Sequence, residues 1–164
     1  MKILALIIAV IIAAYAAGRF YSHELITKTN ISADSAEVWK HLSSFNQYEQ
    51  WNPFVISAQG EAIEGAQIQV TIQPPGGKPT NFQPTLLVVE EEREIRWLGH
   101  FLIPGLFDGE HYFEISPTTD GNIALVQGER FSGLMAWLLM PLIEADTKAG
   151  FESMNAALKL LAES

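Results

Sequence analysis

Apolar and polar residues alternate along the middle of the chain, and this alternation predicts antiparallel strands. The pattern is clearest over residues 66–73, where every second residue is apolar. A period of two is typical of a strand with one buried face. The apolar set is Ala66, Ile68, Val70 and Ile72, and the opposite set is Gln67, Gln69, Thr71 and Gln73. Further strands are predicted over residues 20–32, 82–90, 94–99, 107–117 and 122–132.

A helical period appears at two other places. Capping residues up to Ser35 precede AEVWKHLSSF, and a second short helical segment, NQYEQW, ends at Pro53. Residues 133–162 predict one long helix, in which Phe151 and its neighbours face the sheet and which Pro141 should kink or split.

The order of these elements indicates an α+β fold. We expect a curved antiparallel sheet of about seven strands wrapped around the long C-terminal helix, with two short helices after the first strand. The space between the sheet and the long helix is then the natural place for a ligand.

The N-terminus predicts a membrane-directed segment. Residues 3–17 are apolar and uncharged, and Lys2 and Arg19 flank them. Fifteen helical residues span roughly 22 Å, which nearly crosses a thin bilayer once the flanking residues are included. We expect residues 1–19 to form a hydrophobic helix that anchors the chain in a membrane. A signal peptide cleaved after Ala14-Tyr15-Ala16 and a buried soluble helix are the alternatives.

This expectation divides the chain into residues 1–19, the anchor or signal segment, and residues 20–164, the folded domain. It places the domain outside the cytoplasm, tethered to a membrane. After cleavage of the signal, the domain would instead be secreted or periplasmic.

Charge and composition narrow the function. The net charge is −9 and Lys and Arg do not cluster, which disfavours nucleic acid as a partner. The chain has no cysteine, so thiolate chemistry and disulfides are excluded. The four histidines, at positions 23, 41, 100 and 111, lack the spacing of metal ligands, and no motif predicts a metal or a cofactor.

The run GLFDGEHYF, residues 105–113, contains the candidate chemistry. Strand alternation turns His111 inward and Glu110 outward, and places Asp108 at the strand entrance, where a turn or capping role is favoured. A hairpin centred on Asp120-Gly121 sets His111 opposite Glu129.

The same register sets Phe113 opposite Gln127. Directly opposed side chains lie within hydrogen-bonding reach, and buried polar groups need such partners. The His111–Glu129 pair has three possible roles at this point: it orients a ligand, it is only a satisfied buried pair, or it performs acid–base chemistry.

Four segments resemble the polyketide cyclase/dehydrase group of the START-like (SRPBCC) superfamily. They are ISADSAEVWKHLSSFNQYEQWNPF, RWLGHFLIPGLFDGEHYFEI, VQGERFSGL and GFESMNAALK. The resemblance covers the chain from about residue 22 to its end, and it implies a helix-grip fold with a deep apolar cavity. The ligands it implies are lipids, polyketides or other hydrophobic small molecules.

We therefore expect the domain to bind a hydrophobic small molecule between the sheet and the long helix. The alternatives are a cyclase, dehydrase or hydrolase that uses His111 with Glu129, and an interaction module of the cell envelope whose cavity is vestigial. The candidate ligand-binding residues are Trp51, Phe54, Trp97, Phe101, Phe107, His111, Phe113, Gln127, Glu129, Phe131, Phe151, Met154 and Asn155.

Overall fold

A computed structural model of the chain describes residues 21–164, together with residues 3, 4 and 6. Most of the predicted anchor or signal segment, residues 1–19, therefore lies outside the described residues. Ile3, Leu4 and Leu6 are helical and exposed. Within the described parts of the chain, no helix is long and apolar enough to cross a membrane.

The described domain has the predicted α+β architecture, with a large antiparallel sheet and one long C-terminal helix. The elements in chain order are β1 (Ser22–Ile31), α1 (Ser35–Ser43), a 3₁₀ turn (Phe45–Gln47), α2 (Tyr48–Trp51), β2 (Val55–Gln59), β3 (Gln69–Ile72), β4 (Thr80–Phe82), β5 (Thr85–Glu90), β6 (Glu94–His100), β7 (Asp108–Pro117), β8 (Ile123–Ser132) and α3 (Ala136–Ala162).

The strands form a five-stranded sheet in the order β1-β8-β7-β6-β5 and a three-stranded sheet in the order β2-β3-β4. The β7–β8 hairpin has the register that its turn predicts. His111 lies opposite Glu129, and Phe113 lies opposite Gln127. Since each strand alternates its faces, this register fixes which polar side chains share the inner wall.

The two sheets meet along residues 65–68, which run beside the start of β5. Gln67 and Thr85 form an isolated antiparallel bridge. The amide of Leu86 donates to the carbonyl of Ala66 at 2.9 Å, and the amide of Ile68 donates to the carbonyl of Pro84 at 3.0 Å. Pro84 also explains why the strand predicted over residues 82–90 is divided into β4 and β5, because a proline cannot donate to the ladder. Strand β2 was not among the predicted strands.

Helix α3 packs against the concave face of the sheet and covers the core. Phe151, Met154 and Leu158 on its inner side are fully buried. Pro141 does not split the helix, because α3 is continuous through it. The proline removes one hydrogen bond, to the carbonyl of Trp137, on an exposed part of the helix where water can replace it.

Gly150 allows a close approach between α3 and the segment after α2. A Cβ placed at Gly150 would lie 2.2 Å from the ring of Phe54, which stacks edge-on against Phe151 with centroids 5.6 Å apart. Packing therefore overrides the helix propensity that disfavours glycine at this position.

Replacing Gly150 by Ala should destabilise the domain by about 1–3 kcal/mol, because the added methyl must displace the Phe54 ring. Helix propensity alone predicts the opposite, a gain of about 1 kcal/mol. Chemical denaturation of the variant measures the difference.

The matched control is the same substitution in a Phe54→Leu background, where most of the clash is removed. There, Gly150→Ala should cost much less than in the wild-type background. An equal cost in both backgrounds would contradict the assignment to Phe54.

Candidate ligand cavity

An apolar cavity of about 180 Å³ lies between the sheet and the first half of α3. The sheet contributes Trp97 and Phe131, the helix contributes Ile143 and Thr147, and Phe54 closes one side. The remaining wall consists of Val70, Ile72, Pro74, Thr80, Phe82, Pro84, Gly99, His100, Phe101, Phe107, Gly109 and Glu129.

Six of the thirteen predicted ligand-binding residues line this cavity. They are Phe54, Trp97, Phe101, Phe107, Glu129 and Phe131. Ile143 and Thr147 were missed by the sequence analysis, although they precede Phe151 at helical spacing of four residues. That spacing was the available signal.

The other seven predicted residues do not line the cavity. His111, Phe113, Gln127, Phe151, Met154 and Asn155 are buried in the core beneath its floor. Trp51 lies on α2, where its ring packs edge-on against Tyr48 with centroids 5.1 Å apart. Any effect of these seven on a ligand in this cavity must pass through another side chain.

Glu129 is the one carboxylate among the described residues that line the cavity. It projects from β8 across Gly109 of the neighbouring strand, and a Cβ at Gly109 would lie 2.1 Å from its Oε1. The missing side chain of Gly109 thus creates the space that the carboxylate occupies. This close approach explains why the run GLFDGEHYF has a glycine at position 109.

His111, on the neighbouring strand β7, contacts the Glu129 carboxylate. Its Nδ1 lies 3.3 Å from Oε2 of Glu129, and the imidazole stacks on the Trp97 ring with centroids 4.8 Å apart and planes 9° from parallel. Only 3% of His111 is exposed, and it does not line the cavity, although its neighbours Trp97 and Glu129 do. Glu129 therefore faces a ligand, whereas His111 positions Glu129.

Gln127 contacts the second nitrogen of the His111 imidazole. Its Nε2 lies 3.2 Å from Nε2 of His111, and in this orientation of the amide Gln127 can donate to the ring, which leaves Nδ1–H of His111 to donate to Glu129. A proton on Nε2 would require the Gln127 amide to turn and accept through Oε1. That oxygen has no hydrogen-bond partner among the described residues.

Buried hydrogen bonds also connect Gln127 to Thr27 on β1 and Asn155 on α3. Asn155 on α3 donates to Oγ1 of Thr27 at 2.9 Å, and Thr27 donates to the carbonyl of Gln127 at 3.3 Å. Gln127 also contacts Sδ of Met154 at 3.5 Å. Paired polar groups of this kind fix the position of α3 against the sheet.

The two acids of the run GLFDGEHYF have separate positions. Asp108 accepts from the amide of Gly105 at 2.9 and 3.0 Å and contacts Nδ1 of His100 at 2.8 Å, so it fixes the loop before β7, as the turn or capping role predicts. Glu110 faces outward, where it accepts from Arg96 at 2.7 Å.

Ion pairs cover the outer face of the sheet behind the cavity. Arg96 contacts three glutamates, at positions 94, 110 and 114, and lies 4.7 Å from the centroid of the Tyr112 ring. Burial, with a smaller effect of Glu24, raises the pKa of Tyr112 to about 12. For Arg96, burial would lower the pKa, but its hydrogen bonds to Glu110 and Glu94 raise it overall.

Metal chemistry has no support in this part of the chain. Across the described residues, no three histidines or acids lie close enough together to ligate a metal ion.

Replacing Gly109 by Ala should move the Glu129 carboxylate away from His111. We expect the ring ¹⁵N and ¹H resonances of His111 to shift, because Nδ1–H loses its acceptor, and stability to fall by about 1–3 kcal/mol. Gly99→Ala is the matched control, since Gly99 also lines the cavity and its Cβ would meet only Pro84, at 3.7 Å, and the Gly109 carbonyl oxygen, at 4.0 Å. Identical His111 spectra in both variants would contradict the geometry.

Solved structures with the same fold include proteins of diverse names. The chain superposes on a START superfamily protein from Mycobacterium smegmatis with a TM-score of 0.67 and 18% identity, covering 86% of this chain and 97% of that one. It matches norcoclaurine synthase from Thalictrum flavum with a TM-score of 0.65 and 14% identity, covering 87% and 94% of the two chains.

A third similar structure is the di-domain ARO/CYC protein BexL of the BE-7585A biosynthetic pathway. The TM-score is 0.69 at 11% identity, with 87% of this chain covering 50% of that one. Identities this low show a common fold and nothing finer.

The sequence comparisons identify the family. No curated protein matches the chain. The family model described as polyketide cyclase / dehydrase and lipid transport matches residues 23–163, which include β1 through α3. The chain therefore belongs to the polyketide cyclase/dehydrase and lipid transport family.

Proposed function

We propose that this protein binds a hydrophobic small molecule, lipid or polyketide-like, in the cavity between the sheet and α3, and that it does so tethered to a membrane or exported across one. One observation carries the proposal. A single carboxylate, Glu129, faces a mainly apolar cavity and is held there by a buried histidine. A few placed polar groups in an apolar cavity are typical of small-molecule sites.

The position of Glu129 favours a particular ligand chemistry. Its side chain is 16% exposed, so a ligand that covers it must supply a hydrogen bond in place of water. A hydroxyl or an amine can donate to the carboxylate. An ionised carboxylic acid would instead place two negative charges together, which is unfavourable in an apolar site.

The size of the cavity limits the occupant. A volume of about 180 Å³ is smaller than the roughly 300–1,000 Å³ that holds a drug-sized ligand. A short chain or a single ring system fits this conformation, whereas a longer molecule must extend through the mouth beside Phe101 and Phe107.

Competition with a fluorescent probe tests this chemistry. With 1-N-phenylnaphthylamine bound, 1-octanol and octylamine should displace the probe at concentrations about tenfold lower than octanoate, a difference of about 1.4 kcal/mol. Glu129→Gln should remove most of this discrimination, because the carboxylate is lost while the shape is retained.

Ile143→Trp is the control for the site, since it fills the cavity from its helical wall. This variant should fold and take up little probe. Octanoate competing as well as octanol against the wild-type protein would contradict the ligand chemistry. A wild-type protein that binds neither the probe nor, by calorimetry, 1-octanol would contradict ligand binding and favour an interaction module.

A cyclase- or dehydrase-type enzyme is the second candidate, and the Glu129–His111 pair is the observation that favours it. Two of the similar structures carry enzyme names, an ARO/CYC protein and a synthase. In such an enzyme Glu129 would contact the substrate, and His111 would position the Glu129 carboxylate.

The enzyme hypothesis has its own test. With a linear poly-β-ketone thioester, Glu129→Gln should lower turnover about 10²–10⁴-fold while probe binding is retained. His111→Gln should shift the pH profile of turnover without abolishing probe binding. Wild-type protein that cyclises or dehydrates the thioester no faster than buffer does would exclude this substrate class.

A further inference from the structure

An exposed apolar surface surrounds the mouth of the cavity. Leu102 is 78% exposed, Leu142 is 72%, Ile103 is 62% and Trp137 is 59%. We call this surface the apolar rim, and it consists of Phe101, Leu102, Ile103, Trp137, Leu138 and Leu142. Contiguous exposed apolar residues of this kind mark an interaction surface.

The two parts of the rim are joined into one surface. The loop before β7 is fastened to the start of α3, since Leu134 donates to the carbonyl of Gly105 at 3.0 Å and Met135 to that of Leu106 at 2.8 Å. Gly133 permits this contact, because a Cβ there would lie 2.9 Å from the Gly105 carbonyl oxygen. Phe101 belongs to both the rim and the cavity wall.

The backbone conformation of Leu102 keeps its apolar side chain exposed to solvent. Leu102 has a φ of 67°, a left-handed conformation that bulky residues rarely adopt. The side chain gains no burial within the domain from this conformation. Such strain is found where function requires it.

The rim carries no charge. Neither residues 101–107 nor residues 133–143 contain a charged side chain. The adjacent acids already have partners, since Asp108 contacts His100 and Glu144 lies 3.5 Å from His23. Contact through the rim must therefore be apolar rather than electrostatic.

The chain enters the domain at the same end. Ser22, the first residue of β1, pairs with Ser132, which also pairs with Asp108, and Asp108 pairs with His100. Residues 18–21 separate the uncharged apolar run 3–17 from β1, and four extended residues reach at most about 14 Å. β1 therefore begins at the end of the sheet that carries the rim, and four residues separate it from the apolar run in the sequence.

The occupant of the rim follows from these observations. Ile3, Leu4 and Leu6, the described residues of the apolar run, are more than 60% exposed, so the domain does not bury them. A bilayer can accept both this run and the rim from one side of the molecule, and tryptophans such as Trp137 favour the membrane interface.

We propose that the apolar rim is a docking face for the surface of a lipid bilayer, which brings the mouth of the cavity against the membrane. This inference goes beyond ligand binding and does not depend on it. Because the rim is uncharged, docking should need no anionic lipid and should be insensitive to salt.

A single-site fluorescent label in the full chain tests the docking. The protein has no cysteine, so Leu102→Cys labelled with NBD reports from the rim. Leu160→Cys is the matched control: it is 74% exposed, and its neighbour Lys159 bonds the Asn30 carbonyl at the opposite end of the domain. The full chain is mixed with phosphatidylcholine vesicles that contain nitroxide-labelled lipid.

We expect a blue shift at position 102 and quenching at least about twice that at position 160, at both low and high salt. The Ile143→Trp variant should dock equally well even though its cavity is filled. Equal quenching at both positions, or failure to float with the vesicles, would overturn the proposal. A blue shift at 102 in the absence of lipid would overturn it as well, because a second copy or the N-terminal residues would then cover the rim.

Discussion

The pairing of His111 with Glu129 is the interaction on which the rest of the site depends. An apolar wall can hold a carboxylate only if that carboxylate is hydrogen-bonded, because an unpaired buried charge is strongly destabilising. The β7–β8 register brings the two side chains together, and Gln127 contacts the other nitrogen of the imidazole. The strand order and the buried network thus place one negative group at the cavity surface.

Neighbouring residues are explained by the same requirement. Gly109 leaves room for the carboxylate, and Trp97 stacks on His111. On the outer face of the sheet, Arg96 pairs with glutamates, so the second polar network is separate from the first. The two acids of the run GLFDGEHYF have different roles, since Asp108 fastens the loop before β7 and Glu110 belongs to the outer ion pairs. The inner carboxylate is Glu129, on the neighbouring strand β8.

Much of this arrangement could be predicted from the sequence, because strand alternation and an Asp-Gly turn determine register. The opposition of His111 and Glu129 followed from those two features alone. The burial of each side chain could not be predicted, since it depends on contacts with other strands, such as the stacking of Trp97 on His111. The break at Pro84 and the close contact of Gly150 with Phe54 likewise arise from packing between distant segments.

Native mass spectrometry of the full chain, purified from the cells that produce it, reports directly whether Glu129 selects a hydrophobic ligand with a hydrogen-bond donor. We expect wild-type protein to retain a small apolar molecule bearing a hydroxyl or an amine, and Glu129→Gln to retain far less of it. A retained carboxylic acid, held equally by both proteins, would show that Glu129 does not select the ligand.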